Sequence, residues 1–502
     1  MSPLESASTR AEIFRVEAEI ALHTAAIKTL HERLVPLRSQ LQTIVDRTCA
    51  IQRLPVELLS EIFILSLPEE LTMLGEMRDT PLTPATQTQR LAVVCSRWRT
   101  VALRIQPLWT EFALSLSPCI VSATEKLRVT ADRAGVRPLT VKISGSSLDE
   151  CEPLQWSTFM SAFRTIAPRT KALYLGLDTC DMAIMDRDAE SLHFVVLETL
   201  VLFAEDRGAE AGKEIRMFAH APRLHGAMLT TISPLAVQLP WAQLTRLRVE
   251  NYFLPDAHDI LRRAANITWA HISLTPHDRE FFLPLTTTHM HLEYLRLNEC
   301  YGSVDGPHVL EHLVCPALRY LRLYSEDADT EYFAHEDEEP IHLPEGKFFT
   351  FIQRSPNLKS LELDTIWNSQ SPLPLQPLPI THLKINAVLS EAAASRIVGS
   401  LENWCLAKLT HLELCVAENQ LGATGSSLRT VAQAAGKAIV RRNRAYSLNP
   451  SRPHAIQSLR LVARGYADAV HSPIAELAAL EQSGVNVFVG GVEKKRTDPV
   501  RL

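Results

Sequence analysis

A six-residue pattern, apolar-x-x-apolar-x-apolar, returns again and again between residues 170 and 461, and it constrains this chain more than any other feature. The copies begin at Thr170, Leu197, Leu224, Leu244, Ile267, Leu292, Leu318, Leu358, Ile380, Leu409 and Ile456. Start-to-start spacings run mostly from 20 to 29 residues, with longer gaps before 358 and 456. In an extended strand, successive side chains point to opposite faces, so the closing apolar pair of each copy points inward and the residue between points out. Those outward residues are Tyr174, Val201, Met228, Arg248, His271, Arg296, Arg322, Glu362, Lys384, Glu413 and Arg460. One unit this short cannot bury its apolar face alone, so each must stack on its neighbours. Pro168, Pro222, Pro316 and Pro356 stand two residues before a copy, where proline stops a helix and favours extended entry. Further strands are expected at 112–116 and 139–143, and a closing helix and strand at 474–480 and 485–489.

These periods resemble those of leucine-rich repeats, one strand and one helix or irregular return per unit. The resemblance implies an α/β chain: a solenoid over 113–490 with a parallel sheet on its concave face. It implies target binding by the outward residues Tyr174, Arg248, His271, Arg296, Arg322, Glu362, Lys384, Glu413 and Arg460. Their mixed charge suits a protein surface better than a phosphate track; the plainer alternative is a row of solvated strand residues. Regular repeats follow each strand with a buried Asn or Cys ladder, and here only Cys300 falls at that register. The arc is therefore expected to be irregular in curvature.

The first 48 residues carry a different period. Ile13, Val16, Ile20, Ile27, Leu30, Leu34, Leu37, Leu41 and Ile44 alternate spacings of three and four, with His23 the polar member of the seam. A mean spacing of 3.5 keeps one stripe along a helix, as in a coiled coil. Pro36 lacks an amide proton, so a kink or break is expected there. Two readings fit residues 13–44: pairing, including a homodimer, or an amphipathic helix packed back on its own chain.

Residues 50–112 read as a compact helical module. Pro55 suits a first helical turn and Glu57 its positive end, and Leu58, Ile62 and Leu65 recur at helical spacing beside a second stripe of Leu59 and Phe63. The string LPVELLSEIF at 54–63, then VCSRW at 94–98, then Leu108 and Trp109, resembles an F-box. That resemblance implies docking onto the Skp-type linker of a cullin-based ubiquitin ligase. Leu54, Pro55, Leu58, Ile62 and Phe63 would lie in or near the linker-facing surface, while Val94, Trp98 and Trp109 would hold the module together or extend that surface. An insertion at 68–89 departs from a minimal F-box but is familiar in the expanded F-box families of mushroom-forming fungi, where heptad helix, F-box and leucine-rich repeats follow in this order. The implied role is a non-enzymatic substrate receptor. A scaffold that self-associates through its N-terminal helix is the alternative.

Composition narrows the classes further. The 502 residues carry 51 Lys plus Arg against 57 Asp plus Glu, a formal charge of −6, with no general pull toward nucleic acid or anionic membrane. Nine cysteines without CxxC spacing suggest neither a disulfide framework nor a zinc site, and fit an intracellular, reducing compartment. The N-terminus lacks an apolar leader core, and no stretch reads as a membrane span. GATGSS at 422–427 lacks the lysine of a phosphate loop, and no HExxH, GxSxG or GxGxxG occurs, so no catalytic residue, metal or cofactor is expected. His289 and His291 are expected at the surface, as are Arg441, Arg442 and Arg444. The acidic stretch 326–339, the prolines 372, 374, 377 and 379 and the basic tail 491–502 read as loops or linkers.

Overall fold

The computed structural model describes residues 3–48, 51, 54–67, 84–116, 119–145, 148, 151–188, 192–204, 214–275, 286–299, 309–324, 345–363, 378–385, 401, 406–417, 426–449, 453–464 and 475–491. The acidic stretch 326–339, Cys300, Pro372, Pro374, Pro377, residues 68–83 and the tail beyond 491 lie outside these. The chain divides into two compact units, residues 1–68 with 84–109, and the remainder from 110 onward.

In the first unit, one helix runs without interruption from Pro3 to Thr48. The break expected at Pro36 is absent. Pro36 falls at an outward heptad position, as does Glu32, whose carbonyl loses its helical donor, so water can take over that bond at the solvated face. Every described side chain from 12 to 44 is exposed, so packing of this stripe back onto the chain is not what these residues do.

Three short helices, Val56–Leu65, Pro84–Val94 and Ser96–Arg104, and the 3-10 turn Gln106–Trp109 make the rest of the unit. The helix from Pro84 occupies the last residues of the expected insertion. Leu59, Phe63, Leu91, Val101, Ala102 and Leu108 form the core, with Leu67, Trp98, Ile105 and Trp109 packed around it. Phe63 meets Trp98 at 4.8 Å between ring centres. Backbone carbonyls left open at helix ends find side-chain donors: Trp109 Nε1 reaches Ala102 O at 2.9 Å, and Thr88 Oγ1 reaches Leu108 O at 3.0 Å.

The second unit is built on one large parallel sheet. Its strands are Glu111–Ser115, Leu139–Ser144, Thr170–Gly176, Thr199–Phe203, Gly226–Thr230, Arg246–Tyr252, Trp269–Leu274, Tyr294–Glu299, Tyr320–Tyr324, Ser360–Leu363, His382–Ile385, His411–Ala417, Ser458–Arg464 and Asn486–Gly491. They lie side by side in chain order, fourteen among the described residues. Each expected copy supplies one strand, and the 112–116, 139–143 and 485–489 expectations supply the others. The inward pairs, such as Leu173 and Leu175, Leu295 and Leu297, or Leu459 and Leu461, are buried to within about a percent. Each leucine level aligns across strands, as in Leu295 opposite Leu321 and Leu297 opposite Leu323. At roughly 25 cal/mol per Å2 of apolar area removed from water, this repeated burial is the main stabilising term.

Helical returns cover the apolar side. Helix Pro153–Ile166 buries Trp156, Phe159 and Phe163, which continue through Phe194 to Phe218 in a chain of ring contacts 5.4 to 6.3 Å apart. Helix Glu345–Gln353 ends before Pro356, and helix Ala475–Gln482 precedes the last strand, both as expected. The segment 309–314 is a 3-10 turn, Val309–His312, followed by the two-residue strand Leu313–Val314, paired with Thr287–Thr288.

Two surface expectations are corrected here. His289 is wholly buried while His291 is exposed, because the short strand pair carries His289 inward and its backbone N–H bonds Val314 O at 2.9 Å. Burial, and His258 nearby, pull the His289 imidazole down to about 4. Arg442 is also buried, unlike Arg441 and Arg444. Extending from helix Ser426–Leu448, its Nε donates to His454 O at 2.7 Å and its Nη1 to Leu401 O at 2.6 Å. Its Nη2 donates to Leu406 O at 2.8 Å, Ala407 O at 3.2 Å and Leu409 O at 2.9 Å. Asn443 adds a two-way amide clamp on Ile456, at 2.9 and 2.7 Å.

Candidate functional site

Two surfaces collect the residues singled out above. The first is on helix Val56–Leu65. Its apolar residues form two stripes, and the fold uses one of them: Leu59 and Phe63 are wholly buried in the module's core. The other stays out, with Leu58 53% and Ile62 42% exposed, and Leu65, Val56 and Pro55 exposed beside them. Phe63 is therefore a core residue and not part of a docking surface; its place one position past Ile62 turns it about 100° round the helix. Leu54 is half-buried, and its carbonyl accepts from the Arg97 guanidinium, which ties the helix entry to helix Ser96–Arg104. Trp98 and Trp109 are half-buried against the core, as holding residues would be, and Val94 is exposed. Trp98 Nε1 is buried with no hydrogen-bond partner among the described residues.

The second surface is the polar face of the sheet. All the outward residues fall in one register row. Tyr174 pairs with Val201, then Met228, Arg248, His271, Arg296, Arg322, Glu362, Lys384, Glu413 and Arg460 follow in line. Lys142 extends the row at one end and Phe488 at the other. The row is not uniformly solvated: Val201, Met228, Arg248, His271 and Glu362 are buried, Arg460 and Phe488 are exposed, and the rest are intermediate. Strands about 4.8 Å apart bring large side chains against one another, so the row shields its own members.

Among the described residues, the charges of the row other than Arg296 are in ion pairs. Arg322 and Glu362 approach to 3.6 Å, Lys384 reaches Glu362 at 3.1 Å and Glu413 at 3.6 Å, and Arg460 lies 3.8 Å from Glu413. Lys142 pairs with Glu111 at 3.0 Å, and Arg248 with Glu250 two residues along its own strand. Burial alone would push the Glu362 carboxyl up, but Arg322, Lys384 and the Tyr320 hydroxyl hold it below the usual range. Lys384 shows the mirror case: burial lowers it, and Glu362 and Glu413 outweigh that and raise it. Burial, then Arg248, Arg296 and Arg322, press His271 well below its usual value, so it is neutral near pH 7. Its Nε2 shares a hydrogen bond with the Tyr324 hydroxyl.

A second row, which the six-residue pattern does not mark, runs along the same face. Trp269, Tyr294 and Tyr320, each two residues before a member of the first row, stack in succession at 5.6 and 4.4 Å, nearly parallel. His382 and His411 stack at 4.2 Å in the same row. The alternation that marks the first row also marks this one, since residues two apart share a face.

Among the described residues no cluster of His, Cys, Asp and Glu is placed to hold a metal ion, and no helix is long and apolar enough to cross a membrane. The sequence matches no model of a known protein family, and no curated protein matches it.

Proposed function

We propose that this chain is a substrate receptor of an SCF-type ubiquitin ligase: residues 54–109 act as an F-box on a Skp-type linker, and the sheet is the concave face of an irregular leucine-rich-repeat solenoid that holds a target protein. The observation that carries the reading is the split of helix Val56–Leu65, with Leu59 and Phe63 consumed by the core while Leu58, Ile62 and Leu65 remain at the surface. A short helix that keeps a contiguous apolar stripe in water marks a protein interface. The charged, aromatic-lined face supplies the second contact, and the role needs no chemistry of its own: joining two binding modules raises the effective concentration of target lysines near the loaded enzyme. The cellular setting implied is intracellular.

The test is binding of the full chain to a purified Skp-type linker. Leu58→Ala with Ile62→Ala is expected to weaken it by about a hundredfold or more, the combined effect of two truncated interface anchors. Both side chains are exposed, so the far-UV circular dichroism of the variant should match the natural chain's. Absence of binding by the natural chain would favour a non-enzymatic scaffold instead.

A further inference from the structure

Along the charged row of the sheet, Arg296 breaks the rule of pairing. Lys142, Arg248, Arg322, Lys384 and Arg460 each have a carboxylate within 4.0 Å, and Arg296 has none among the described residues. Its strand neighbours are the neutral His271 on one side and Arg322, a like charge, on the other. Both guanidiniums lie over a single ring, Tyr324, with Arg296 4.3 Å and Arg322 5.3 Å from its centre. The Arg296 Nε is buried and donates to nothing described. Like charges held on adjacent strands are destabilising, and a buried donor without an acceptor costs further. Both costs vanish when an anion with several acceptor oxygens sits between the guanidiniums.

We propose that Arg296 and Arg322, side by side on Tyr324, form a binding site for an oxyanion, a carboxylate or phosphate group borne by the target. The proposal rests on the reading of this face as the target-binding one, yet the site itself is testable on the isolated chain. Thermal unfolding and calorimetric titration of the full chain with inorganic phosphate and, separately, with acetate, at ionic strength matched by chloride, should show saturable binding and a rising midpoint. Response to phosphate alone identifies a phosphorylated group, and response to both a carboxylate. Arg296→Gln is expected to weaken that binding at least tenfold and, without anion, to raise the unfolding midpoint, because it removes an unpaired charge. A natural chain that answers to neither anion, or a glutamine variant that answers as the natural chain does, overturns the site while leaving linker binding through Leu58 and Ile62 untouched.

A second inference comes independently from the N-terminal helix. Its apolar stripe is exposed over ten heptad positions from Ile13 to Ile44, and the positions that flank the stripe are acidic early (Glu12, Glu17, Glu19) and basic late (Arg33, Arg38). In a parallel pair of such helices, flanking positions five apart meet, which sets Glu12 against Glu17 and Arg33 against Arg38. In an antiparallel pair the seam closes as Ile13 with Ile44, Val16 with Leu41, Ile20 with Leu37, His23 with Leu34 and Ile27 with Leu30. Glu17 of each copy then lies beside Arg38 of the other. We infer that the occupant of this stripe is a second copy of the chain, running antiparallel. Sedimentation at low salt gives the test. Glu17→Lys should raise the dimer dissociation constant roughly tenfold by turning two attractions into repulsions, and adding Arg38→Glu should restore it. Tighter association of the Glu17→Lys chain is the parallel pair's outcome and overturns the orientation; a natural chain that stays monomeric at high micromolar concentration overturns the pairing.

Discussion

Replacement of Arg442 by methionine is expected to cost the second unit about 5 kcal/mol, seen as a large fall in its denaturation midpoint. The side chain is 3% exposed, and its guanidinium serves the carbonyls of Leu401, Leu406, Ala407, Leu409 and His454. Methionine keeps much of the volume and removes the guanidinium. Leu406 O and Ala407 O still accept from the backbone N–H of Leu409 and His454. The carbonyls of Leu401, Leu409 and His454 lose the donor Arg442 gave them, at about 1–3 kcal/mol each with less than full additivity. Arg444→Ala, on the exposed side of the same helix, should shift stability by less than about 0.5 kcal/mol. Equal midpoints for the two variants would contradict this account. Carbonyls in the turns that lead into strands need donors from somewhere when they are buried away from water. In this chain one arginine from helix Ser426–Leu448 gathers those that precede the strands at His411 and Ser458.

Phe63→Ala is expected to unfold the helical module, with a loss of about 3–5 kcal/mol from a small unit that has little to spare. The ring is wholly buried, packs with Leu59, Leu91, Val101, Ala102 and Leu108, and meets Trp98 at 4.8 Å. Hydrogen exchange should show loss of protection across Val56–Leu65 and Ser96–Arg104. Leu58→Ala with Ile62→Ala, by contrast, should leave that protection in place. The two variants therefore separate a fold defect from a surface defect, which linker binding alone would confuse. Preserved protection in Phe63→Ala would mean that this core does not hold the module.

The strands were legible because two features coincide at each: alternation with period two, and apolar residues, most often leucine, at both inward positions. Any register slip by one residue would turn an entire leucine set to water, so the pattern determines pairing as well as existence. The heptad helix was legible for a similar reason. What stayed hidden depended on partners distant in the chain. Nothing near Arg442 shows that five carbonyls 12 to 41 residues away converge on it. Phe63 and Ile62 look alike in a short apolar helix, and only the position of helix Ser96–Arg104 decides which is covered. In the sequence His289 looks like a surface residue because no metal partner stands near it; its burial follows from the pairing of Thr287–Thr288 with Leu313–Val314, two strands too short to announce themselves. The pairing pattern of the polar row, and hence the isolation of Arg296, depends on the register of strands up to 40 residues apart, as in Arg322 and Glu362.

The strict succession of strands has a bearing on synthesis. Because each strand of the large sheet hydrogen-bonds the strand of that sheet made just before it, the sheet does not have to hold an early strand open for a late one. Assembly can track elongation at the ribosome, with one fresh edge exposed at any moment and closed by the next few dozen residues. The vulnerable species is then a nascent chain stalled between strands, whose leucine-bearing edge is the natural point for a chaperone to bind.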